Sequence, residues 1–196
     1  MNIVLATHNQ NKVRELNAIL GALGIEVTPL PQDFPDIEEN GTTFAENAKI
    51  KASAVCQALG VPAMADDSGL EVDALDGAPG IYSARWADGD DHDRNRFLLE
   101  KMQGEQNRTA RFTCAACCAM PDGTVLEATG SCEGEILTEE HGTGGFGYDP
   151  VFYVPEQGCT FGELPAEVKN RISHRSRAFA KMAELLKDGM EHARTV

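Results

Sequence analysis

The first 66 residues alternate between two hydrophobic periods, and this alternation constrains the fold more than any other feature. Residues 2–6, with Ile3-Val4-Leu5 at their centre, read as a strand. Over residues 10–23 the period changes to that of a helix, with Val13, Leu16, Ile19, Leu20 and Leu23 on one face and Gly24 placed to end it. A second strand is expected from Ile25 to Leu30. A loop rich in Pro and Asp follows over 31–41, then an alanine-rich helix to about residue 59, opened by the capping box Thr43-Phe44-Ala45-Glu46. Residues 61–66 read as a third strand. A β-α-β-α-β order of this kind predicts an α/β fold with a mixed sheet flanked by helices.

Further along, a polar helix is expected near 90–103. Residues 109–119 and 124–135 read as a hairpin turning at Pro121-Asp122-Gly123, 151–154 as another strand, and 173–188 as a last helix with Ser173 as its N-cap. No repeat, low-complexity linker or domain break interrupts the chain. Its 196 residues therefore suit one domain over 1–196, large or two-lobed.

The third strand carries the strongest chemical signal. It ends in Asp66-Asp67 followed by Ser68-Gly69, so it is expected to stop at a turn and present two acids at a sheet edge. Adjacent like charges raise each other's pKa, and burying either without a partner is costly. A cation or a proton-transfer task would compensate such a pair. Glu38-Glu39, just before the second helix, are either solvated loop acids or the complement of Asp66-Asp67 in an oxygen site for Mg²⁺, which takes one or two carboxylates, waters and substrate phosphates.

Three other segments can carry chemistry. Thr7-His8-Asn9-Gln10-Asn11-Lys12 joins the first strand to the first helix. It is either a plain capped junction with a surface lysine or an anion site at a helix N-terminus; the glycines and the GK[ST] end of a Walker A loop are missing. Gly142-Thr143-Gly144-Gly145-Phe146-Gly147-Tyr148-Asp149-Pro150 formally matches GxGxxG. A strand-like run follows it where a dinucleotide fold needs a helix, so it is read as a loop approaching a ligand, with Phe146 or Tyr148 able to stack on a base, or as a tight structural turn. Lys169, His174 and Arg175 concentrate positive charge in a chain of net charge −14, with Lys169 in a loop and the other two in the first turn of a helix, where cations oppose the macrodipole. That net charge argues against a nucleic-acid partner. No apolar run is long enough to span a membrane, and the N-terminus lacks the basic and apolar regions of a signal peptide. Six cysteines without a secretory signal are expected to be reduced. Cys114, Cys117 and Cys118 read as buried strand residues more readily than as zinc ligands, because no second CxxC or histidine pair accompanies them.

Taken in order, Thr7-x-Asn9-x-x-Lys12, Glu38-Glu39-x-Gly41-x-x-Phe44-x-Glu46-Asn47-Ala48, Ala65-Asp66-Asp67-Ser68-Gly69-Leu70, Gly77-Ala78-Pro79-Gly80-Ile81-Tyr82-Ser83-Ala84-Arg85, the 142–150 loop and Ile172-Ser173-His174-Arg175 closely resemble the Ham1/RdgB-like inosine triphosphate pyrophosphatase family, the non-canonical purine NTP or dITP/XTP pyrophosphatases. The resemblance runs from residue 2 to about 187. It implies a two-lobed α/β fold with a long mixed sheet and a nucleotide cleft between the lobes. It implies a cytoplasmic homodimer that cleanses the nucleotide pool by hydrolysing dITP, ITP and XTP to monophosphate and pyrophosphate with Mg²⁺. By the same resemblance Thr7, His8, Asn9, Gln10, Asn11 and Lys12 bind the triphosphate, and Asp67 is proton acceptor and Mg²⁺ ligand, with Glu38 as the second ligand. Ser68 touches substrate, and Phe146, Gly147, Tyr148 and Asp149 hold base and sugar. Lys169, His174 and Arg175 complete the site, the last two near the 6-oxo edge. His8 and Trp86 stand where relatives often carry glycine and tyrosine. The rival readings are a Maf-like pyrophosphatase of other base specificity, a nucleotide binder without catalysis, and a zinc or redox protein built on the cysteines.

Overall fold

The computed structural model describes residues 2–194, and side chains up to residue 189. Strand β1 (Ile3–Leu5) leads into helix α1 (Gln10–Ala22), which buries Leu16, Ile19 and Leu20, the apolar stripe expected of it. Gly24 follows the helix at φ 74°, a left-handed conformation that glycine adopts without strain, and Ile25 N–H closes the end on Leu20 O at 2.9 Å. Strand β2 (Val27–Pro29) is shorter than expected. Helix α2 (Phe44–Leu59) starts at Thr43, whose Oγ1 accepts from Glu46 N–H at 3.1 Å. The reciprocal half of the capping box lands one residue early: Glu46 Oε2 accepts from the N–H and hydroxyl of Thr42 at 2.6 and 2.8 Å.

Strand β3 (Ala63–Val72) corrects the expectation of a strand ending at Asp66-Asp67. Ser68-Gly69 stay extended, because the alternation continues through Leu70 and Val72, both fully buried. The acids therefore lie mid-strand. Nor are they at a sheet edge, since β3 stands third in the order β2-β1-β3-β4-β5-β6-β7.

Two short 3₁₀ helices, Asp73–Leu75 and Gly80–Arg85, precede α3 (Asp91–Lys101). The hairpin is β4 (Thr109–Ala119) and β5 (Val125–Ile136), turned at Gly123, φ 90°. A 3₁₀ turn (Asp149–Val151), β6 (Phe152–Val154) and β7 (Cys159–Thr160) follow. A helix not foreseen, α4 (Ala166–Ile172), contains Lys169, which was expected in a loop. Helix α5 (His174–Arg194) runs past the predicted end at 188. The sheet is mixed: β1 pairs parallel with β2 and β3, while β6 pairs antiparallel with β5 and β7.

The chain forms two compact units. One comprises the chain up to Asp67, Cys114–Gly130 and the chain from Arg175 on. Its core packs α1 and α5 against Leu5, Met64, Cys114 and Cys118 through Leu16, Leu20, Phe179 and Met182. The other comprises Ser68–Thr113 and Ser131–His174, with a core of Leu70, Leu98, Phe112, Phe152 and Phe161. Among the described residues no helix is long and apolar enough to cross a membrane.

Candidate functional site

In the first unit, strand alternation sends the side chains of Asp66 and Asp67 to opposite faces of β3, where they meet different helices. Asp66 shares its face with Met64, beneath α1 and α5. Its Oδ2 lies 3.2 Å from Lys12 Nζ and accepts from Arg175 Nε at 3.2 Å; Arg175 Nη1 donates to Glu15 Oε2 at 2.5 Å. Asp66 and Arg175 are each 2% exposed. Two cations thus answer Asp66, and a second acid answers Arg175. Burial lowers the Lys12 pKa, with Asp66 partly opposing the shift.

Asp67 faces α2. Its Oδ2 accepts from Asn47 Nδ2 at 3.0 Å, and its Oδ1 stands 3.8 Å from Lys51 Nζ, which sits closer, at 3.2 Å, to Glu39 Oε1. Burial raises the Asp67 pKa, and Lys51, Lys12 and Asn47 only partly offset it. A neutral amide and a shared ammonium leave this carboxylate basic and short of full compensation, which suits a proton acceptor or a metal ligand. Asn47 also ties the acid to the preceding loop: its Oδ1 accepts from Gly41 N–H at 2.8 Å, and a Cβ on Gly41 would come within 2.7 Å of that oxygen.

Glu38 is exposed on this loop, and its neighbour Glu39 makes the ion pair to Lys51. Among the described residues no three His, Cys, Asp or Glu side chains gather as a metal cluster. The donor set fits Mg²⁺ nonetheless: a carboxylate deprived of water, with a second carboxylate facing the same ammonium, offers hard oxygens to a cation that fills its other positions with water and phosphate.

The Thr7–Lys12 segment is organised by its own side chains. Asn9 caps α1, its Oδ1 accepting from Asn11 and Lys12 N–H at 3.0 and 3.2 Å, and Thr7 Oγ1 accepts from Asn9 N–H. His8 Nε2 lies 2.9 Å from Phe34 O, and Gln10 Nε2 donates to His8 O. Two of the amides expected to meet an anion are thus occupied by the cap.

The second unit holds Ser68, the glycine loop, Lys169 and His174. The close approaches that the glycines permit are to protein atoms: a Cβ on Gly142 would lie 2.2 Å from the Gly162 carbonyl carbon, and one on Gly145 2.0 Å from Asp149 Oδ2. Asp149, 2% exposed, accepts from Phe146 N–H at 2.9 Å and from Lys169 Nζ at 2.5 Å. Lys169 Nζ is 4.9 Å from the centre of the Phe146 ring, inside cation–π range. Tyr148 is not available to stack on a base. It is 3% exposed and donates its hydroxyl to Ser83 O at 3.0 Å, and burial pushes its pKa up. Phe146 is half-buried. His174 is buried, its ring stacked on Phe112 at 4.8 Å and 14°. Ser68 is half-buried on β3.

Sequence reasoning passed over four residues. Asn47 and Lys51 lie one helical turn apart on the buried face of α2, a spacing legible in the sequence once Asp67 is in view. Asp91 and Asn95, with the same spacing on α3, reach Gly147: Asp91 Oδ2 accepts from its N–H at 2.6 Å, and Asn95 Nδ2 donates to its carbonyl at 3.2 Å. The cysteines are core residues. None of the six is in a disulfide, Cys114, Cys117 and Cys118 are buried, and burial pushes the thiols of Cys117 and Cys118 up to about 12.

A profile of the Ham1 family matches residues 3–185. A protein of Desulforamulus reducens named dITP/XTP pyrophosphatase is 52% identical over 192 residues, 95% of this chain and 96% of that protein. An Exiguobacterium protein of the same name is 50% identical over 191 residues, 95% of this chain and 97% of that one. Among solved structures, the Staphylococcus aureus Ham1 protein superposes with a TM-score of 0.86 at 40% identity, covering 96% of this chain and all of that one. A HAM1 protein from Coxiella burnetii gives 0.87 at 41% identity, covering 96% and 99%.

Proposed function

The chain belongs to the Ham1 family, and on that premise we propose that it hydrolyses dITP, ITP and XTP to the nucleoside monophosphate and pyrophosphate, cleansing the nucleotide pool. The observation that carries the chemistry is the division of labour in Asp66-Asp67. One acid is neutralised by Lys12 and Arg175, while its neighbour is kept basic by burial beside a neutral amide. Asp67 orients and deprotonates the water that attacks the α-phosphorus, and pyrophosphate leaves. Lys12 and Lys51 are the cations for the triphosphate, with Thr7, His8, Asn9, Gln10 and Asn11 supplying polar groups at the start of α1. Mg²⁺ is the proposed cofactor and would be held by Asp67, with Glu38 proposed as the second ligand and Glu39, which faces the same Lys51 ammonium, as the alternative; when bound it neutralises phosphate charge.

In the second unit Phe146 offers the ring face for the base. Gly147, Asp149 and Lys169 fix its loop, and Ser68 contacts substrate. His174 and Arg175 are the proposed donors to the 6-oxo edge; Arg175 also donates Nε to Asp66 and Nη1 to Glu15. A site that donates to a 6-oxo group disfavours ATP, whose 6-amino group would face a donor.

Pyrophosphate release from ITP, XTP, GTP and ATP with Mg²⁺ tests this reading. Turnover of ITP and XTP far above that of ATP is expected, and equal turnover of ITP and ATP would overturn it. The same panel separates a Maf-like specificity, and binding of ITP without release would mark a non-catalytic module. A homodimer is the proposed assembly, checked by sedimentation. Six cysteines with no disulfide among them suit a reducing compartment, and the cytoplasm is the proposed location.

A further inference from the structure

The glycine loop has a fixing problem. Residues 142–147 contain four glycines, which lose more conformational freedom on ordering than other residues and offer no side chains to pack. At the glycines only contacts to the backbone can hold the chain. Asp149 holds Phe146 through its N–H, and Tyr148 is anchored on Ser83 O. Between them lies Gly147, at φ 62°, where a Cβ would meet nothing within 4 Å. Its peptide groups are gripped from α3 on both sides, the N–H by Asp91 Oδ2 at 2.6 Å and the carbonyl by Asn95 Nδ2 at 3.2 Å.

Both partners of this clamp are themselves fixed. Asn95 is fully buried, and its Nδ2 also donates to Glu140 Oε1 at 2.6 Å. Because Gly147 O and Glu140 Oε1 are both acceptors, only one orientation of the amide satisfies them. Glu140 is in turn bound through Oε2 to His92 Nδ1 at 2.8 Å. Asp91 is paired with Arg94 at 2.5 Å, and Arg94 Nη1 donates to Gly89 O.

We propose that Asp91 and Asn95 are positioning residues for base recognition: they lock the Gly147 peptide, and through it set the position of Phe146, without touching the nucleotide. The proposal rests on the assignment of the Phe146 loop to the base. Discrimination between 6-oxo and 6-amino purines needs donors and the stacking ring held in place before substrate arrives. A loop freed at Gly147 would bind each purine in several poses and lose that discrimination.

The test compares Asp91→Ala, Asp91→Asn and Asn95→Ala in the full chain, with Phe146→Ala as the control for the loop. kcat and KM are measured for ITP and ATP, with Tm alongside. Asp91→Ala and Asn95→Ala are expected to lower kcat/KM for ITP by about tenfold or more, mainly through KM, and to narrow the ITP-over-ATP ratio. Asp91→Asn keeps an oxygen acceptor for Gly147 N–H and is expected to return the ratio to within about twofold of wild type. A purely architectural role would lower Tm and leave KM and the ratio in place, and that result overturns the proposal. The Asp91 side chain is 42% exposed, so its truncation opens no core cavity and decides the matter even if Asn95→Ala does not fold. If Phe146→Ala shifts KM and the ratio while the α3 variants do not, the clamp fails alone. If none of them shifts, the assignment of the loop to the base has failed with it.

Discussion

Asp66→Asn and Asp67→Asn, one residue apart and chemically identical, are expected to fail in opposite ways. Asp66→Asn keeps the shape of the side chain and opens no cavity, so its effect is electrostatic. It removes the carboxylate that answers Lys12 and Arg175, both at 3.2 Å. Breaking a buried pair by removing one partner costs about 3–5 kcal/mol. Arg175 keeps Glu15, which places this case near the lower end, at about 3 kcal/mol. For a chain of this size each kcal/mol moves Tm by about 2–4 °C, so a fall of about 6–12 °C is expected. Asp67→Asn removes a charge whose burial is only partly compensated, so Tm should hold or rise while pyrophosphate release falls by orders of magnitude. The sign with pH follows from the raised pKa. Wild type loses stability as pH rises from the ordinary aspartate range through the folded pKa, because the folded state must then carry the buried charge. The Tm advantage of Asp67→Asn is therefore absent in acid and develops as pH rises through that window. Thermal melts over a pH series, with pyrophosphate release on the same samples, make the measurement. A Tm loss for Asp67→Asn as large as that for Asp66→Asn would refute the division of labour.

The remaining predictions concern the same acids and the cysteines. If Asp67 is the base, the acid limb of kcat/KM for ITP should disappear from the residual activity of Asp67→Asn, and an unchanged limb in that variant would remove Asp67 from the role. Glu38→Gln should raise the Mg²⁺ concentration needed for half-maximal rate. Should only Glu39→Gln do so, the second ligand is the acid that pairs with Lys51. Thiol capping of the native protein should leave pyrophosphate release unchanged, since Cys117 and Cys118 are buried with pKa values pushed up to about 12.

What was legible in the sequence follows the range of the forces involved. Helix α1 could be read to within a residue, because its stripe of Leu16, Ile19 and Leu20 and its terminating Gly24 are local signals. The hairpin was legible for the same reason, through Gly123. Strand β3 was cut short because Ser68-Gly69 has the local chemistry of a turn. Pairing in the sheet interior outweighed it, and no local pattern reports the neighbours of a strand. Helix α4 was missed because its seven residues give too little periodicity to register.

The candidate site divides along the same line. Asp66-Asp67 stood out as a pair because adjacency is a property of sequence. That one acid is neutralised and the other kept basic is not, since it depends on Lys12, Arg175 and Glu15 on one face of β3 and on Asn47 and Lys51 on the other, brought in from α1, α5 and α2. Strand geometry makes the separation possible: two residues about 3.8 Å apart along the chain can sit in different electrostatic environments because the pleat turns them to opposite sides. A helix would have set consecutive acids only about 100° apart; on the strand their nearest partners differ, although Lys12 acts on both. The extended backbone at Asp66-Asp67 is therefore part of the chemistry, and a substitution that disturbed the pleat there would erase the difference between the two carboxylates while leaving both in place.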